Sequence, residues 1–303
     1  MKLFQISSFG LGMIYAALGA VLFSSKAIFI KLGYQESLDV MTVLILRGVI
    51  AVPIFFLIAL YVSRQQANKP VTISDKLGVV VMGFFGYYLS SVLDFYGLKY
   101  TPASLERMIF YVYPTLVLVL GSLIFRRRIL PVQLVALVLT YGGLALVLLF
   151  QSAIFVSMDL VKGVGFVFLS TVSYAIYILF SGQLIPRIGA VRYTAWVMMV
   201  SYGFVGIHYI YLNGFYIQPI GQTGWILMVL LGVMATVLPT ILISKAIGLI
   251  GSSNTVLSGA IGPVSTVLMA HLFLHESLDG IQYGGIFLVL LGIFCLNRWG
   301  NNQ

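Results

Sequence analysis

Residues 96–133 read YGLKYTPASLERMIFYVYPTLVLVLGSLIFRRRILPVQ, and residues 245–282 read KAIGLIGSSNTVLSGAIGPVSTVLMAHLFLHESLDGIQ. A single offset of 149 residues, obtained as 263 − 114, aligns the two stretches without a gap. It matches Ser104 with Ser253, Pro114 with Pro263, Gln133 with Gln282 and, further on, Gly143 with Gly292. Spaced coincidences of this kind indicate an internal repeat, which decides the fold before any single motif does. We therefore expect two related halves, residues 1–150 and 151–303.

The composition is that of an integral membrane protein. Hydrophobic residues make up 60% of the 303-residue chain and charged residues only 8%, whereas a soluble domain carries about 25% charged residues. A transmembrane helix needs roughly 20 apolar residues. Ten segments meet this need, at residues 9–32, 40–62, 76–98, 102–125, 131–150, 163–185, 191–212, 222–246, 252–274 and 279–298. The predicted fold is an all-α membrane protein with ten transmembrane helices, five in each repeat.

The net charge of +9 is explained by cationic loops. Nucleic-acid binding is not expected, because the chain has almost no polar surface that could carry a groove-reading element. Of the 17 Lys and Arg residues, three lie within spans and three (Lys31, Lys99 and Lys162) lie on the outer side. The remaining eleven then lie on the inner side if the N-terminus is inside. The positive-inside rule therefore predicts that both termini lie in the cytoplasm. The membrane is expected to be a bacterial-type inner membrane.

Five spans per repeat is an odd number, so the second copy is expected to cross the membrane in the opposite direction to the first. Inverted repeats of this kind are a common plan of secondary transporters, whose substrate site lies near the bilayer midplane where the halves meet. Rocking of the halves then exposes the site to each side in turn. The repeat spacing therefore predicts alternating access.

Thr101-Pro102 marks a tight hairpin between spans three and four. Threonine is a favoured N-cap and proline a favoured first residue of a helix, so we expect Thr101 to cap span four. The hairpin is also expected to bring Asp94 and Glu106 close together.

The stretch Gly97–Ser104, followed by Pro114, resembles the signature of the drug/metabolite transporter superfamily, specifically its EamA-like ten-helix members. The second half has a matching proline and the ending Leu274–Leu278. The resemblance implies a bundle in which the first four helices of each half enclose a central cavity, with spans five and ten outside. It also implies export, because many relatives export amino acids or other metabolites. The sequence departs from the family pattern at one position. Family members often have a glutamate near the end of the fourth helix of a half, as Glu276 is in the second half, but the matched residue in the first half is Arg127.

Five charged residues fall within the predicted spans: Lys26, Arg47, Asp94, Glu106 and Arg107. Because a charge at mid-bilayer costs about 2.5–3.5 kcal/mol on insertion scales, they must mostly face the bundle interior or pair with one another. One interpretation is a structural network of three cations and two carboxylates. The other is functional: Asp94 or Glu106 titrates to couple protons, or the spare cation receives a substrate carboxylate. Arg107 is the better candidate for structural pairing and Glu106 for the cavity.

Hydroxyl and aromatic side chains recur at three- and four-residue steps on the spans that are expected to enclose the cavity. Beside Lys26, Arg47, Asp94 and Glu106, the predicted lining residues are Tyr87, Ser91, Phe110, Tyr113, Ser173, Tyr174, Tyr177 and Trp196. Single serines in membrane helices more often mediate helix packing than bind ligands, so the prediction depends on the set. Pro114 and Pro263 each remove a backbone hydrogen bond within a helix, and we expect kinks there that serve as gates.

The leading interpretation is a secondary active transporter of small organic metabolites such as amino acids or amphipathic compounds. Its expected partners are a small-molecule substrate and membrane lipid, with protons as a candidate coupling ion. A homodimer through Gly280 and Gly284 is an alternative to intramolecular packing of that motif. A flippase for a lipid-linked intermediate, a passive channel and a membrane-embedded enzyme are the alternatives. The chain has no GxSxG, CxxC or GK motif, and no cofactor, metal site or catalytic residue is expected.

Overall fold

The computed structural model describes residues 8–65, 71–126, 131–149, 157–259, 261–276 and 279–299, and all regular structure within them is helical. In chain order the helices are α1 (Ser8–Gln35), α2 (Val40–Gln65), α3 (Ile73–Gly83), α4 (Ser90–Tyr100), α5 (Ala103–Phe110), α6 (Tyr113–Phe125), α7 (Pro131–Leu149), α8 (Met158–Ile188), α9 (Ala190–Asn213), α10 (Gln222–Gly232), α11 (Leu238–Gly259), α12 (Ile261–Leu274) and α13 (Gly280–Trp299). Two π-helical segments, Phe84–Leu89 and Val233–Val237, join α3 to α4 and α10 to α11.

Seven helical stretches are long and apolar enough to cross a membrane: Ser8–Gln35, Val40–Gln65, Ile73–Tyr100, Ala103–Ile124, Met158–Ile188, Ala190–Asn213 and Gln222–Ala246. They coincide with predicted spans one to four and six to eight. Three shorter apolar stretches, Gln133–Leu146, Ile261–Leu274 and Tyr283–Gly292, fall within predicted spans five, nine and ten. The prediction of an all-helical membrane protein is therefore confirmed, whereas ten complete spans remain a prediction.

The helices of the two halves contact each other in pairs that the 149-residue offset interchanges. The offset carries α1 onto α8 and α4 onto the first part of α11, and both α1–α11 and α4–α8 are extensive contacts. It likewise carries α6 onto α12, and both α1–α12 and α6–α8 are in contact. The remaining large contacts, α2–α9 and α7–α13, each join a helix to its own counterpart. For each large contact between the halves, the contact obtained by exchanging both helices for their counterparts is therefore also present.

The boundary between predicted spans eight and nine differs from the expectation, because the backbone stays helical from Leu238 to Gly259. The chain nevertheless reverses within this range. Ile250 lies against Gly12 near the start of α1, and the Gly262 carbonyl then accepts a hydrogen bond of 2.8 Å from Ser24. Ser24 lies twelve residues after Gly12 on α1, which is a rise of about 18 Å, and Gly262 also lies twelve residues after Ile250. Twelve helical residues cover that distance only if the chain reverses directly after Ile250.

Candidate functional site

A small cavity lies between the two halves, where α1, α2, α4, α5, α8, α9, α11 and both π-helical segments meet. It is lined by Phe23, Lys26, Arg47, Gly86, Tyr87, Ser90, Ser91, Asp94, Phe110, Tyr174, Met198, Ala235, Thr236 and Thr240. Its volume is about 30 Å³, which is room for one or two water molecules. An organic solute needs a wider arrangement of the same helices.

The cavity contains three pairs of residues that are related by the repeat offset. Gly86 matches Ala235, Tyr87 matches Thr236, and Ser91 matches Thr240. Thr236 and Thr240 were missed in the sequence analysis, although adding 149 to Tyr87 and Ser91 finds both. Phe23, Ser90 and Met198 carry no comparable signal in the sequence.

The two π-helical segments begin at Phe84 and Val233, which are also 149 residues apart. A π-helical turn is wider than an α-helical turn and is frequent at functional sites. Here each segment presents two lining residues to the cavity, and hydroxyl groups satisfy backbone carbonyls around it. Thr236 donates a hydrogen bond of 2.8 Å to the Leu231 carbonyl. Ser173, which was predicted to line the cavity, lies behind the lining residues and donates one of 2.7 Å to the Phe85 carbonyl. The two π-helical segments therefore form part of the cavity wall.

Lys26, Asp94 and Glu106 form one buried charged cluster. The Lys26 Nζ lies 2.6 Å from Asp94 Oδ2 and 3.9 Å from Glu106 Oε1. The tight hairpin thus brings both carboxylates to one lysine. Among the described residues, the second Asp94 oxygen and both Glu106 oxygens have no hydrogen-bond partner. Lys26 and Asp94 line the cavity, whereas Glu106 is fully buried behind the lining residues.

Arg107 on α5 links this helix to α12 and α1 by hydrogen bonds. Its Nε donates to Thr266 Oγ1 at 3.0 Å on α12, and a terminal nitrogen donates to the Phe23 carbonyl at 3.1 Å on α1. Its guanidinium carbon also lies 5.4 Å from the centroid of the Phe23 ring. The geometry agrees with the structural role expected of Arg107, and the side chain does not line the cavity.

Arg47 lines the cavity from α2 and is only 5% exposed. One terminal nitrogen donates to Ser91 Oγ at 3.1 Å. Its guanidinium carbon lies 4.7 Å from the centroid of the Phe95 ring and 5.5 Å from that of the Tyr202 ring. Within the described part of the chain, its Nε has no hydrogen-bond partner and no carboxylate forms an ion pair with it.

Aromatic rings form the wall of the cavity on the side of α5 and α8. The Phe110 and Tyr174 rings line it with centroids 5.1 Å apart. Tyr113 and Tyr177 were also predicted to line it, but they lie behind the lining residues. The Tyr113 centroid is 5.4 Å from that of Tyr174, and the Tyr177 centroid is 5.2 Å from that of Tyr87. These two rings support the wall.

Trp196 lies away from the cavity. Its ring is 4.6 Å from the guanidinium carbon of Arg192. It lines a separate apolar groove of about 310 Å³ between α3 and α9, together with Lys76, Val79, Val80, Met199 and Val200. No residue is shared between the lining of this groove and that of the cavity.

Pro114 lies next to a break in a helix. The α5 helix ends at Phe110 and α6 begins at Tyr113, so that Pro114 lies in the first turn of α6. Proline lacks the backbone N–H that continues a helix, which explains this break. Pro263 is the third residue of α12, and residue 260, between α11 and α12, lies outside the described residues. Whether the two prolines act as gates stays a prediction.

Glu276 caps α5 from the other half of the chain. Its carboxylate accepts hydrogen bonds from Ala103 N at 2.7 Å, Ser104 N at 3.1 Å and Ser104 Oγ at 2.6 Å. The expectation that Thr101 caps this helix is wrong, because Thr101 instead ends α4 and donates to the Gly97 carbonyl at 2.9 Å. Free N–H groups at a helix N-terminus favour a negative charge, which Glu276 supplies.

Comparison with known proteins agrees with this architecture. The model of the EamA-like transporter family matches residues 10–149 and again residues 161–298. The chain is 31% identical over 292 residues to "Uncharacterized transporter YcbK" of Bacillus subtilis (strain 168), covering 93% of this chain and 92% of that protein. It is 28% identical over 249 residues to "Uncharacterized transporter sll1319" of Synechocystis, covering 77% and 69%.

A crystal structure of a protein with 16% sequence identity has the same fold, with a TM-score of 0.64 over 96% of this chain and 99% of the other. Two matches to one family model within a single chain, together with apolar helices throughout, establish the class of protein. The chain is a multi-pass membrane protein that belongs to the EamA-like transporter family, within the drug/metabolite transporter superfamily.

Proposed function

We propose that this chain is a secondary active transporter that exports small organic metabolites by alternating access. The observation that carries the proposal is the cavity between the halves, to which both halves contribute matched residues such as Tyr87 and Thr236. A site in this position is where transporters with inverted repeats bind their substrates. Residues 1–150 and 151–303 are then the two repeats, oppositely oriented in the membrane.

The exchanged helix contacts support the alternating mechanism. If α1–α11 and α4–α8 are equivalent contacts, one can loosen while the other stays closed, and the energies of the two arrangements remain similar. The volume of about 30 Å³ corresponds to a state in which the cavity is closed around little more than water. Opening on either side then admits a solute to Lys26, Arg47 and Asp94.

The inner membrane location, the cytoplasmic termini and the direction of export belong to the same proposal. They are supported by the distribution of Lys and Arg and by family membership. A flippase needs lateral access from the bilayer to the site, and the apolar groove that contains Trp196 shares no lining residue with the cavity. The geometry therefore favours a solute that enters from water.

The test is accumulation of candidate solutes by the purified full chain in proteoliposomes, with and without a pH gradient. Thr236→Trp fills the cavity and should abolish accumulation, whereas Leu212→Trp changes a residue that is 51% exposed and should leave it intact. Accumulation against a gradient excludes a passive channel. Chemical alteration of the solute identifies an enzyme, and movement of lipid analogues without solute identifies a flippase. Any of these last results overturns the proposal.

A further inference from the structure

We infer that Arg47 is the receptor for the carboxylate of the substrate, and that the substrate is a monoanion with an apolar body. The inference rests on the proposed function, because it names the class of solute that the cavity takes. Its evidence is the pairing of the five charged residues that were predicted to lie within the spans. The sequence leaves their partners open, and the structure shows them residue by residue.

Of the three cations that were predicted to lie within the spans, two are already engaged by the protein. The Lys26 Nζ is held by Asp94 at 2.6 Å, and Glu106 follows at 3.9 Å. The Arg107 guanidinium is directed away from the cavity by its bonds to Thr266 and the Phe23 carbonyl. Arg47 alone combines a cavity-lining position with a guanidinium that has no carboxylate partner among the described residues. A buried charge without a partner is costly, and a substrate carboxylate removes that cost.

The surroundings of Arg47 suit a bound carboxylate. Guanidinium presents a planar fork of donors that matches a carboxylate. Among the described residues, one terminal nitrogen donates to Ser91 and the Tyr202 hydroxyl also lies close to the guanidinium, while Nε has no acceptor. The Phe95 and Tyr202 rings hold the guanidinium within the apolar core at 4.7 and 5.5 Å. This contact fixes the group without consuming its remaining donors. The Nε group, which has no partner among the described residues, can donate a hydrogen bond to an oxygen of the substrate carboxylate.

The charge of the cavity selects a monoanion. Among its described lining residues, Lys26 and Arg47 contribute two positive charges and Asp94 one negative charge, a net charge of 2 − 1 = +1. Glu106 and Arg107 lie behind the lining residues, and their formal charges of −1 and +1 leave this sum unchanged. One carboxylate neutralises this charge, a zwitterion leaves it unchanged, and a phosphate dianion overshoots it. The rings of Phe110 and Tyr174 offer an apolar wall to the body of the solute.

The structure also distinguishes Lys26 from Arg47. With Arg107 expected to have a structural role, either of these two could be the spare cation that receives a substrate carboxylate. The Lys26 ammonium lies against Asp94 and over the Phe110 ring at 5.2 Å, so a substrate carboxylate has to displace Asp94 to reach it. No such displacement is needed at Arg47.

The experiment measures binding to the purified full chain in detergent by isothermal titration calorimetry. The probes are butanoate with butanamide, 3-phenylpropanoate with 3-phenylpropanamide, L-phenylalanine and phenyl phosphate. We expect the wild-type chain to prefer each acid over its amide by about tenfold or more. Arg47→Gln should reduce this preference to less than about twofold, and Arg47→Lys should keep part of it because the charge remains but the fork is lost. Lys162→Gln makes the same charge change at an exposed residue and should keep the full preference.

Thermal unfolding of each variant checks that it folds, and Arg47→Lys keeps the test decisive if Arg47→Gln does not fold. The inference is overturned if wild type binds none of the acids, binds acids and amides equally, or keeps its preference in Arg47→Gln. Tighter binding of L-phenylalanine or phenyl phosphate than of 3-phenylpropanoate overturns the monoanion assignment. Binding is measured without a membrane. A failure of solute accumulation in proteoliposomes therefore counts against the proposed function and leaves the Arg47 assignment intact.

Discussion

Replacement of Glu276 by glutamine tests how the two halves are held together at one end of the bundle. The carboxylate joins the turn after α12 to the first residues of α5 through three hydrogen bonds, to Ala103 N, Ser104 N and Ser104 Oγ. If the chain works by alternating access, this contact holds the cavity closed on the side that Glu276 faces. The predicted topology makes that the outer side.

The size of the effect follows from the three bonds. Glutamine keeps one oxygen acceptor and places an amide donor where the second carboxylate oxygen was, facing Ser104 N–H and its hydroxyl group. One or two bonds are lost, and a donor of a residue that is 2% exposed is left unsatisfied. Such a loss costs about 1–3 kcal/mol. Loss of the negative charge at the N-terminus of α5 adds about 0.3–1 kcal/mol.

Together the two terms amount to about 1.3–4 kcal/mol, which changes the ratio of closed to open states by about 10- to 900-fold, since every 1.4 kcal/mol is tenfold. The reporter is Met198→Cys, a cavity-lining position that is 2% exposed, in a background where Cys295, the single native cysteine, is serine. A membrane-impermeant thiol reagent applied to the outer side should label it faster by that factor when Glu276→Gln is present. Glu36→Gln is the control, since Glu36 is exposed and lies in the turn between α1 and α2.

Equal labelling rates with and without Glu276→Gln refute the reasoning. So does an increase that is seen only with reagent on the inner side. A lower thermal unfolding temperature without any change in labelling leaves Glu276 as a helix cap with no part in closing the cavity.

Three further outcomes are expected. Glu106→Gln should remove the dependence of solute accumulation on a pH gradient, because neither oxygen of this buried acid has a hydrogen-bond partner in the described chain; unchanged dependence removes it as the coupling residue. Cysteine introduced at Asp159 should react with impermeant reagent from outside and cysteine at Gly189 from inside, and the reverse pattern overturns the topology. Gly143→Leu should destabilise the purified chain by about 1–3 kcal/mol, because α13 leaves no room for a side chain, whereas Gly142→Leu enters open space and should not; equal unfolding temperatures contradict this packing.

Hydropathy predicted the helical fold, and three- and four-residue periodicity predicted part of the substrate site. Tyr87, Ser91, Phe110 and Tyr174 line the cavity between the halves, and that they bind a substrate there stays a prediction. Helical periodicity reports which face of a span is inward, but it does not report depth. Tyr113 and Tyr177 therefore lie on the correct face yet behind the lining residues, where their rings pack against those that line the cavity.

The role of Glu276 could not be predicted from its sequence neighbours. Its partner Ser104 is 172 residues away, and local sequence offered a plausible alternative cap in Thr101. Two candidate caps with good local chemistry are distinguished only by tertiary contacts. The same holds for Lys26 and Arg47, because which of the two cations is free depends on where Asp94 reaches across from another helix.

The two halves match each other in their helices but not in their charged residues. The offset carries Lys26 to Ala175, Arg47 to Trp196 and Asp94 to Ile243, so the charged groups of the cavity all belong to the first half. This asymmetry is compatible with alternating access, because a site between the halves is shared by both arrangements and favours neither.

If the chain works by alternating access, an asymmetry at the ends of the bundle is different, because each end contact would then exist in only one arrangement. Glu276 closes one end with a carboxylate on the N-terminus of α5, whereas its matched residue in the sequence, Arg127, is a cation. The position matched to Ala103 is Ser252, which lies inside α11 and therefore does not present the free N–H groups of a helix N-terminus. The equivalent closure of the other end therefore lacks this stabilisation, and the empty chain is expected to rest with the Glu276 end closed.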